Sequence, residues 1–192
     1  MLLIGLLGCS PADTQLVYDM PAFTPDGYLN MVVEIPAGSS LKIEYDPRQR
    51  RFLPDTLDGR PREIAFLPYP GNYGFIPSTY MDPARGGDGD ALDVLMLGPA
   101  RPSGTVIEVM PVGTLLLRDG GEEDTKIIAV ARDEQLNPMG VDEFRDLLTE
   151  FDPARRIIEE WFEHYKGFQQ VELVGWEDEA YALREVKKWA SR

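Results

Sequence analysis

The chain has 192 residues and a formal net charge of −14, and 43% of its residues are hydrophobic. This length and apolar fraction predict one domain with a packed core and exclude global disorder, whereas the negative charge argues against binding to nucleic acid or to an anionic membrane. Because the chain has one Cys and one His, any bound metal must be held by carboxylates, which favour hard cations such as Mg²⁺, Mn²⁺ or Ca²⁺.

Residues 1–9 form an apolar segment that ends at Cys9. The sequence Leu6-Leu7-Gly8-Cys9 resembles the cleavage site of a bacterial lipoprotein signal, although no basic residues precede it as an export signal requires. The segment is therefore either a remnant of such a signal, with Cys9 lipidated, or an ordinary N-terminal stretch. Residues 10–27, with three Pro and one Gly, predict a tether or wrapping arm without a packed element.

Short apolar runs separated by turn residues predict strands in the first two-thirds of the chain. The helical pattern begins later, with an amphipathic helix over residues 141–150, a helix that Asp152 caps and that runs to about residue 165, and a third over about 177–190. Strands followed by helices predict an α+β domain over residues 28–192, with a closed or partly open barrel flanked by helices. The predicted strands cover residues 31–35, 41–45, 63–67, 94–97, 105–109, 112–117 and 126–131.

The most informative segment places Asp88, Asp90 and Asp93 among three glycines. In an extended chain Asp88 and Asp90 point the same way, and a bend can bring Asp93 beside them. Such crowding of like charges is unfavourable unless a cation lies among them, so the segment is either a solvated acidic turn or a metal site. An EF-hand loop is excluded because its required Gly and Glu positions are taken by Asp93 and Pro99.

Two further acidic features are candidates. Asp119 and Asp124 flank a Gly-Gly turn, which alone indicates a polar hairpin tip, and Lys126 would project on the same side as Asp124 in an extended strand. Glu34 interrupts an apolar strand, where it is either the solvent face of an edge strand or a functional carboxylate. Phosphate oxygens are bound by basic groups together with divalent cations, and the basic and phenolic groups scattered among these acids are Lys42, Arg62, Tyr73, Lys126, Tyr165 and Lys166.

Taken together, these segments resemble the soluble, metal-dependent inorganic pyrophosphatases of the barrel-fold family. The stretch from Asp88 to Leu95 is similar to the family's D-x-D-P-x-D-V-L pattern, with Ala91 where Pro is usual. The family's arginine corresponds to Arg62, with Arg60 as the alternative, because this hairpin resembles the longer one of eukaryotic members. Matching segments also occur, in order, at residues 33–36, 41–44, 72–74, 119–126 and 162–166.

The resemblance implies a small five-stranded OB-like β-barrel and hydrolysis of inorganic diphosphate to two orthophosphates. Several Mg²⁺ ions are expected in the site, with Mn²⁺ or other divalent ions as alternatives, and Asp90 is implied as the general base. Glu44 is implied to fix nearby lysines. The implied metal ligands are Asp88, Asp93 and Asp124, with Asp119 and Glu34 completing further metal sites. The implied substrate-binding groups are Lys42, Arg62, Tyr73, Lys126, Tyr165 and Lys166.

The resemblance also implies a homo-oligomer with no nucleic-acid partner and a cytoplasmic location. The alternative location is that of an exported lipoprotein, attached to a membrane only if Cys9 is lipidated. Two other functions are alternatives: an inactive or regulatory relative of the same fold, and a barrel-type module that binds oligonucleotides or sugars. The first would lack a metal-binding Asp and the second would need a basic or aromatic groove, and the sequence shows neither feature.

Overall fold

A computed structural model describes residues 17–167 and 170–190 of the chain. Cys9 and the rest of the apolar segment lie outside these residues, so lipidation at Cys9 stays a prediction. Within the described part, no helix has both the length and the apolar character needed to cross a membrane.

Five strands close into a ring at the centre of the fold. Strands β1, β6, β7, β9 and β8 are hydrogen-bonded in that order, and β8 pairs back with β1, while β10 extends the sheet beyond β8. This barrel-like ring confirms the predicted fold class. The bounds are β1 Leu29–Ile35, β2 Ile43–Asp46, β3 Arg51–Pro54, β4 Thr56–Leu57, β5 Arg60–Pro61, β6 Asn72–Phe75, β7 Asp93–Leu97, β8 Val106–Asp119, β9 Glu122–Ala131 and β10 Val171–Glu177.

The helices cover both faces of the ring strands. They are α1 (Phe144–Thr149), α2 (Asp152–His164) and α3 (Glu179–Trp189). Alternate residues of β7 and β9 enter two separate buried clusters, one packed on α3 and the other on α1 and α2. Because both faces of these strands are buried, their sequences are almost continuously apolar, as in Ile127–Ala131.

Several predicted elements need correction. Residues 63–67 do not form a strand: Glu63 makes only an isolated bridge, and the run lies between Pro61 and Pro68, which lack the N–H groups that a ladder needs. The two strands predicted over 105–109 and 112–117 are one strand, β8, with a bulge near Pro111 that accounts for the apparent break. Strands β3, β6 and β10 were not predicted, and β4 and β5 were expected only as the hairpin that the resemblance implies.

The start of α2 also differs from the prediction. Phe151 is the N-cap residue, and Asp152 is the first residue of the helix. Its carboxylate is bound by Arg155, with Nη2 at 2.7 Å from Oδ1, and by Arg156, with Nε at 3.1 Å from Oδ2. Asp152 thus forms ion pairs instead of capping the helix. Its negative charge still lies at the N-terminal end of α2, where the helix dipole favours it.

The described part of the N-terminal arm, residues 17–27, is packed, so the prediction that it holds no packed element was wrong, and of the two predicted forms it is a wrapping arm and not a tether. Val17 and Ala22 are buried, and Phe23 forms a bridge with Leu29 at the start of β1. The amide of Asn30 also donates to the Ala22 carbonyl at 2.9 Å. The arm therefore wraps the ring as an ordered segment.

Gly74 provides a test of the packing of β6 on β1. A Cβ atom added at Gly74 would meet the Val32 carbonyl oxygen at 1.9 Å, and this backbone atom cannot move without distorting β1. We expect Gly74→Ala to lower the free energy of unfolding by about 3 kcal/mol or more, measured by urea denaturation. The control is Gly120→Ala, at a turn with a φ of 58° and open space, where a loss of about 1–2 kcal/mol is expected. Equal losses at both positions would contradict the close approach of these strands.

Candidate active site

A polar cavity of about 210 Å³ collects most of the side chains selected from the sequence. Glu34 and Glu44 do not line it, and they lie in an adjoining cavity described below. The predicted residues that line the first cavity are Lys42, Arg62, Tyr73, Asp88, Asp90, Asp93, Asp119, Asp124, Lys126, Tyr165 and Lys166.

The strand order explains why such distant segments meet. Strands β7 and β9 are parallel neighbours, and their register places Asp93 opposite Lys126. The turn between β8 and β9 brings Asp119 and Asp124 to the same region, which agrees with the predicted hairpin. Just beyond α2, Lys166 forms an ion pair with Asp119. These elements form one part of the cavity, and Tyr73 of β6, Lys42, Arg62 and the loop with Asp88 and Asp90 complete its lining.

Lys126 is the buried cation of the cavity. Its side chain is 5% exposed, and its Nζ lies 2.5 Å from Asp93 Oδ2 and 2.5 Å from Asp124 Oδ1. Burial disfavours the charged form, yet the two carboxylates outweigh this effect and raise the pKa of Lys126 above its ordinary value. The lysine therefore stays protonated and balances the charge of both carboxylates.

Asp90 is held by its backbone and leaves its carboxylate unpaired. The Asp90 amide donates to Asp88 Oδ1 at 2.9 Å, and the Asp90 carbonyl accepts from the Met81 amide at 2.8 Å. Among the ion pairs of the described residues, none involves Asp90. Burial raises the pKa of Asp90, and the charges of Asp88 and Asp93 raise it further. A carboxylate with these properties is suited to accept a proton from water.

The phosphate-binding candidates Lys42 and Arg62 share a carboxylate that the sequence analysis did not select. Arg62 Nη1 lies 3.1 Å from Asp55 Oδ2, and Lys42 Nζ lies 3.8 Å from the same oxygen and 2.5 Å from Glu44 Oε1. Arg62 lines the cavity and Arg60 does not, so the geometry favours Arg62. The missed Asp55 could have been noticed as the acidic residue directly before the hairpin that leads to Arg62.

Glu34 lines an adjoining cavity of about 340 Å³ that shares Lys42, Tyr73, Asp90 and Asp93 with the first. Its strand, β1, is paired on both sides, so the edge-strand interpretation was wrong. Burial raises the pKa of Glu34 to about 8, although its Oε1 accepts a hydrogen bond from the Tyr45 amide at 2.8 Å. Glu44 lines the same cavity.

One wall of the first cavity is aromatic. Trp161 stacks on Tyr165 with ring centroids 4.7 Å apart and packs against Tyr69 at 4.6 Å. Burial raises the pKa of both Tyr73 and Tyr165, so their hydroxyls stay protonated and can donate hydrogen bonds. Tyr69 and Trp161 were not predicted; the one-turn spacing of Trp161 and Tyr165 on α2 was the available signal.

The donor set of the cavity fits hard divalent cations, because it consists of carboxylate oxygens without His or Cys. As the side chains stand, no three carboxylates of the described residues converge closely enough to ligate one ion together. The reason is visible in the ion pairs, since Lys126 lies between Asp93 and Asp124, and Lys166 holds Asp119. Metal ligation thus requires side-chain rotations within the cavity.

Comparison with known proteins relates this site to one family. The family profile described as inorganic pyrophosphatase matches residues 31–192. The inorganic pyrophosphatase of Saccharolobus solfataricus is 37% identical over 170 residues, which cover 85% of this chain and 91% of that protein. The crystal structure of inorganic pyrophosphatase from Thermus thermophilus superposes with a TM-score of 0.75 at 34% identity, covering 89% of this chain and 94% of the other. An inorganic pyrophosphatase structure from Neisseria gonorrhoeae gives 0.74 at 31% identity, covering 91% and 96%.

Replacing Lys126 tests its role as the charge-balancing group. Lys126→Met would leave Asp93 and Asp124 without their shared cation, and we expect the metal-free protein to lose about 3–5 kcal/mol of unfolding free energy. Added Mg²⁺ should stabilise the variant more than the wild type, because it replaces the missing charge. Urea denaturation with and without Mg²⁺ measures both effects. Lys187→Met, at an exposed position of α3, should change stability by less than about 0.5 kcal/mol, and a similar result for Lys126→Met would contradict this role.

The raised pKa of Glu34 predicts a pH-dependent stability of the metal-free protein. Between the ordinary value of 4.5 and about 8, the folded state keeps a proton that the unfolded state has lost, so stability falls as the pH rises. Glu34→Gln should match the wild type at pH 5 and be more stable by on the order of 2 kcal/mol at pH 8.5. Thermal unfolding at both pH values measures the difference. The exposed Glu172→Gln should show no such divergence, and parallel curves for Glu34→Gln and wild type would refute the prediction.

Proposed function

Since the chain belongs to the inorganic pyrophosphatase family and is thus an enzyme that hydrolyses inorganic diphosphate, we propose that this hydrolysis takes place in the cavity described above, with divalent metal ions bound. Mg²⁺ is the expected metal, and two orthophosphates are the products. The observation that carries the proposal is that five aspartates and four basic residues, Lys42, Arg62, Lys126 and Lys166, line one cavity.

The chemical problem is that the negative oxygens of diphosphate repel an attacking hydroxide. Asp88, Asp93 and Asp124, with Asp119 and Glu34 completing further metal sites, would hold divalent ions, which would neutralise this charge and lower the pKa of a bound water. Asp90 accepts the proton of the attacking water at its carboxylate. Its raised pKa and lack of an ion pair support this role, because a more basic, unpaired carboxylate binds a proton more readily.

The basic residues bind the phosphate oxygens and stabilise the charge that develops on the leaving phosphate. Lys42 and Arg62 are oriented by Asp55, and Lys42 also by Glu44, so their positions are set before substrate arrives. Lys166 would exchange its contact with Asp119 for a phosphate oxygen when a metal binds this carboxylate. Tyr73 and Tyr165 donate hydrogen bonds from hydroxyls that remain neutral, and Lys126 orients its two carboxylates.

Assembly and location are proposals that follow the resemblance. We expect a homo-oligomer, which analytical ultracentrifugation of the purified protein would test, and a cytoplasmic location. Lipidation of Cys9 would instead place the protein at a membrane. Intact-mass measurement of the protein from its native host distinguishes the two, because a lipidated Cys9 adds the mass of its acyl chains.

Asp90→Asn tests the general base. Orthophosphate released from diphosphate in the presence of Mg²⁺ is measured colorimetrically, and we expect the variant to lose activity on the order of 100-fold while keeping its fold. The control is Asp58→Asn at the exposed tip of the β4–β5 hairpin, which should retain wild-type activity. Full activity of Asp90→Asn would exclude Asp90 as the base.

The same assay tests the substrate and the need for metal. ATP and simple phosphate esters should release little phosphate, since the site has no motif for a nucleoside. A chelator should abolish activity, because without cations the acidic cavity repels its anionic substrate. Absence of activity on diphosphate in the wild type would favour the inactive relative.

A further inference from the structure

The N-terminal arm brings a tyrosine to the edge of the site. The arm precedes the part of the chain that carries the family match, and its attachment to the ring is specific. The Ser78 amide donates to the Tyr18 carbonyl at 3.0 Å, and Ser78 Oγ donates to the Met20 carbonyl at 2.8 Å. Ser78 has a φ of 51°, an unfavourable value for a residue with a side chain. The fold thus tolerates local strain at the position that fixes the arm.

The Tyr18 ring is held on two sides. It stacks on Phe75 with ring centroids 4.7 Å apart and meets Tyr45 edge-on at 5.1 Å. Phe75 belongs to β6 and Tyr45 to β2, so the aromatic ring of Tyr18 connects the arm with the closed ring of strands and with the hairpin that β2 and β3 form. This packing fixes the direction of the phenol.

Tyr18 lines the cavity that contains Glu34 and Asp90. Tyr18 is 37% exposed, and its partial burial, with a contribution from the charges of Glu34 and Asp90, raises the pKa of its hydroxyl to about 12, so the hydroxyl is neutral. A neutral phenol beside carboxylates is a hydrogen-bond donor, and carboxylates are its strongest acceptors. The hydroxyl thus lies in a cavity with a metal-ligand candidate and the proposed base.

We propose that Tyr18 is a positioning residue of the active site, which donates from its hydroxyl to orient the carboxylates of Glu34 and Asp90, directly or through water. The arm is then part of the enzyme's working site as well as a covering segment. This inference rests on the proposed function, because orientation of Asp90 affects the rate only if Asp90 acts as the base.

Two substitutions distinguish the contribution of the Tyr18 hydroxyl from that of its aromatic ring. Tyr18→Phe keeps both ring contacts and removes only the donor, so we expect an unchanged melting temperature, a kcat lower by about 5- to 30-fold, and a KM for diphosphate within about twofold of wild type. Tyr18→Ala also removes the ring contacts and should lower the melting temperature. Tyr18→Phe should therefore be more stable than Tyr18→Ala but keep a lowered kcat. A purely structural role predicts instead that kcat recovers together with stability.

Mg²⁺ binding followed by calorimetry gives a readout without turnover, and we expect weaker binding by Tyr18→Phe because Glu34 loses its orientation. The matched control is Tyr28→Phe, directly after the arm, whose ring packs on Arg132 and lines neither cavity; it should behave as wild type. Wild-type kcat and Mg²⁺ affinity in Tyr18→Phe would overturn the inference and leave the proposed function intact. An inactive wild type would instead refute the proposed function.

Discussion

Repulsion between clustered carboxylates is the constraint on which the site depends. A chain that is already strongly acidic places five aspartates around one small cavity, which costs free energy unless positive charge is close. Lys126, buried between Asp93 and Asp124, provides that charge within the protein, and Lys166 does so beside Asp119. Both lysines therefore balance the charge of the carboxylates within the fold, and under the proposed function Lys166 would exchange its partner when cations bind.

Strand pairing and backbone hydrogen bonds hold the backbone around these charges in place. Asp93 and Lys126 are neighbours because β7 and β9 run parallel, and Asp88 and Asp90 belong to a loop tied to Met81 through backbone hydrogen bonds. Several of these groups lie where a strand or helix begins or ends: Asp93 is the first residue of β7, Asp119 the last of β8, and Lys166 follows α2. A scaffold of strands and helices thus positions side chains at its edges, where binding residues are commonly found.

Local spacing selected the aspartates as candidates, and the resemblance to the family joined them with the basic and phenolic residues into one site. Asp88, Asp90 and Asp93 are close in sequence, and the alternation of a strand places Lys126 beside Asp124. What spacing could not predict depends on long-range pairing: the contact of Lys126 with Asp93 follows from the β7–β9 register.

The same limit applies to individual residues and elements. The roles of Asp55 and Tyr18 follow from how a hairpin and the arm dock on the ring, which no local pattern encodes. The false strand at residues 63–67 arose because an apolar run looks the same in a strand and in a loop that covers a core.

Closure of the ring has a consequence for folding kinetics, because β1 is paired with β8 through Leu29 and Val109, so the native topology has a high contact order. During synthesis the first strand must wait for most of the sheet to leave the ribosome before the ring can close, and in that interval its apolar faces are open to chaperones and to wrong partners.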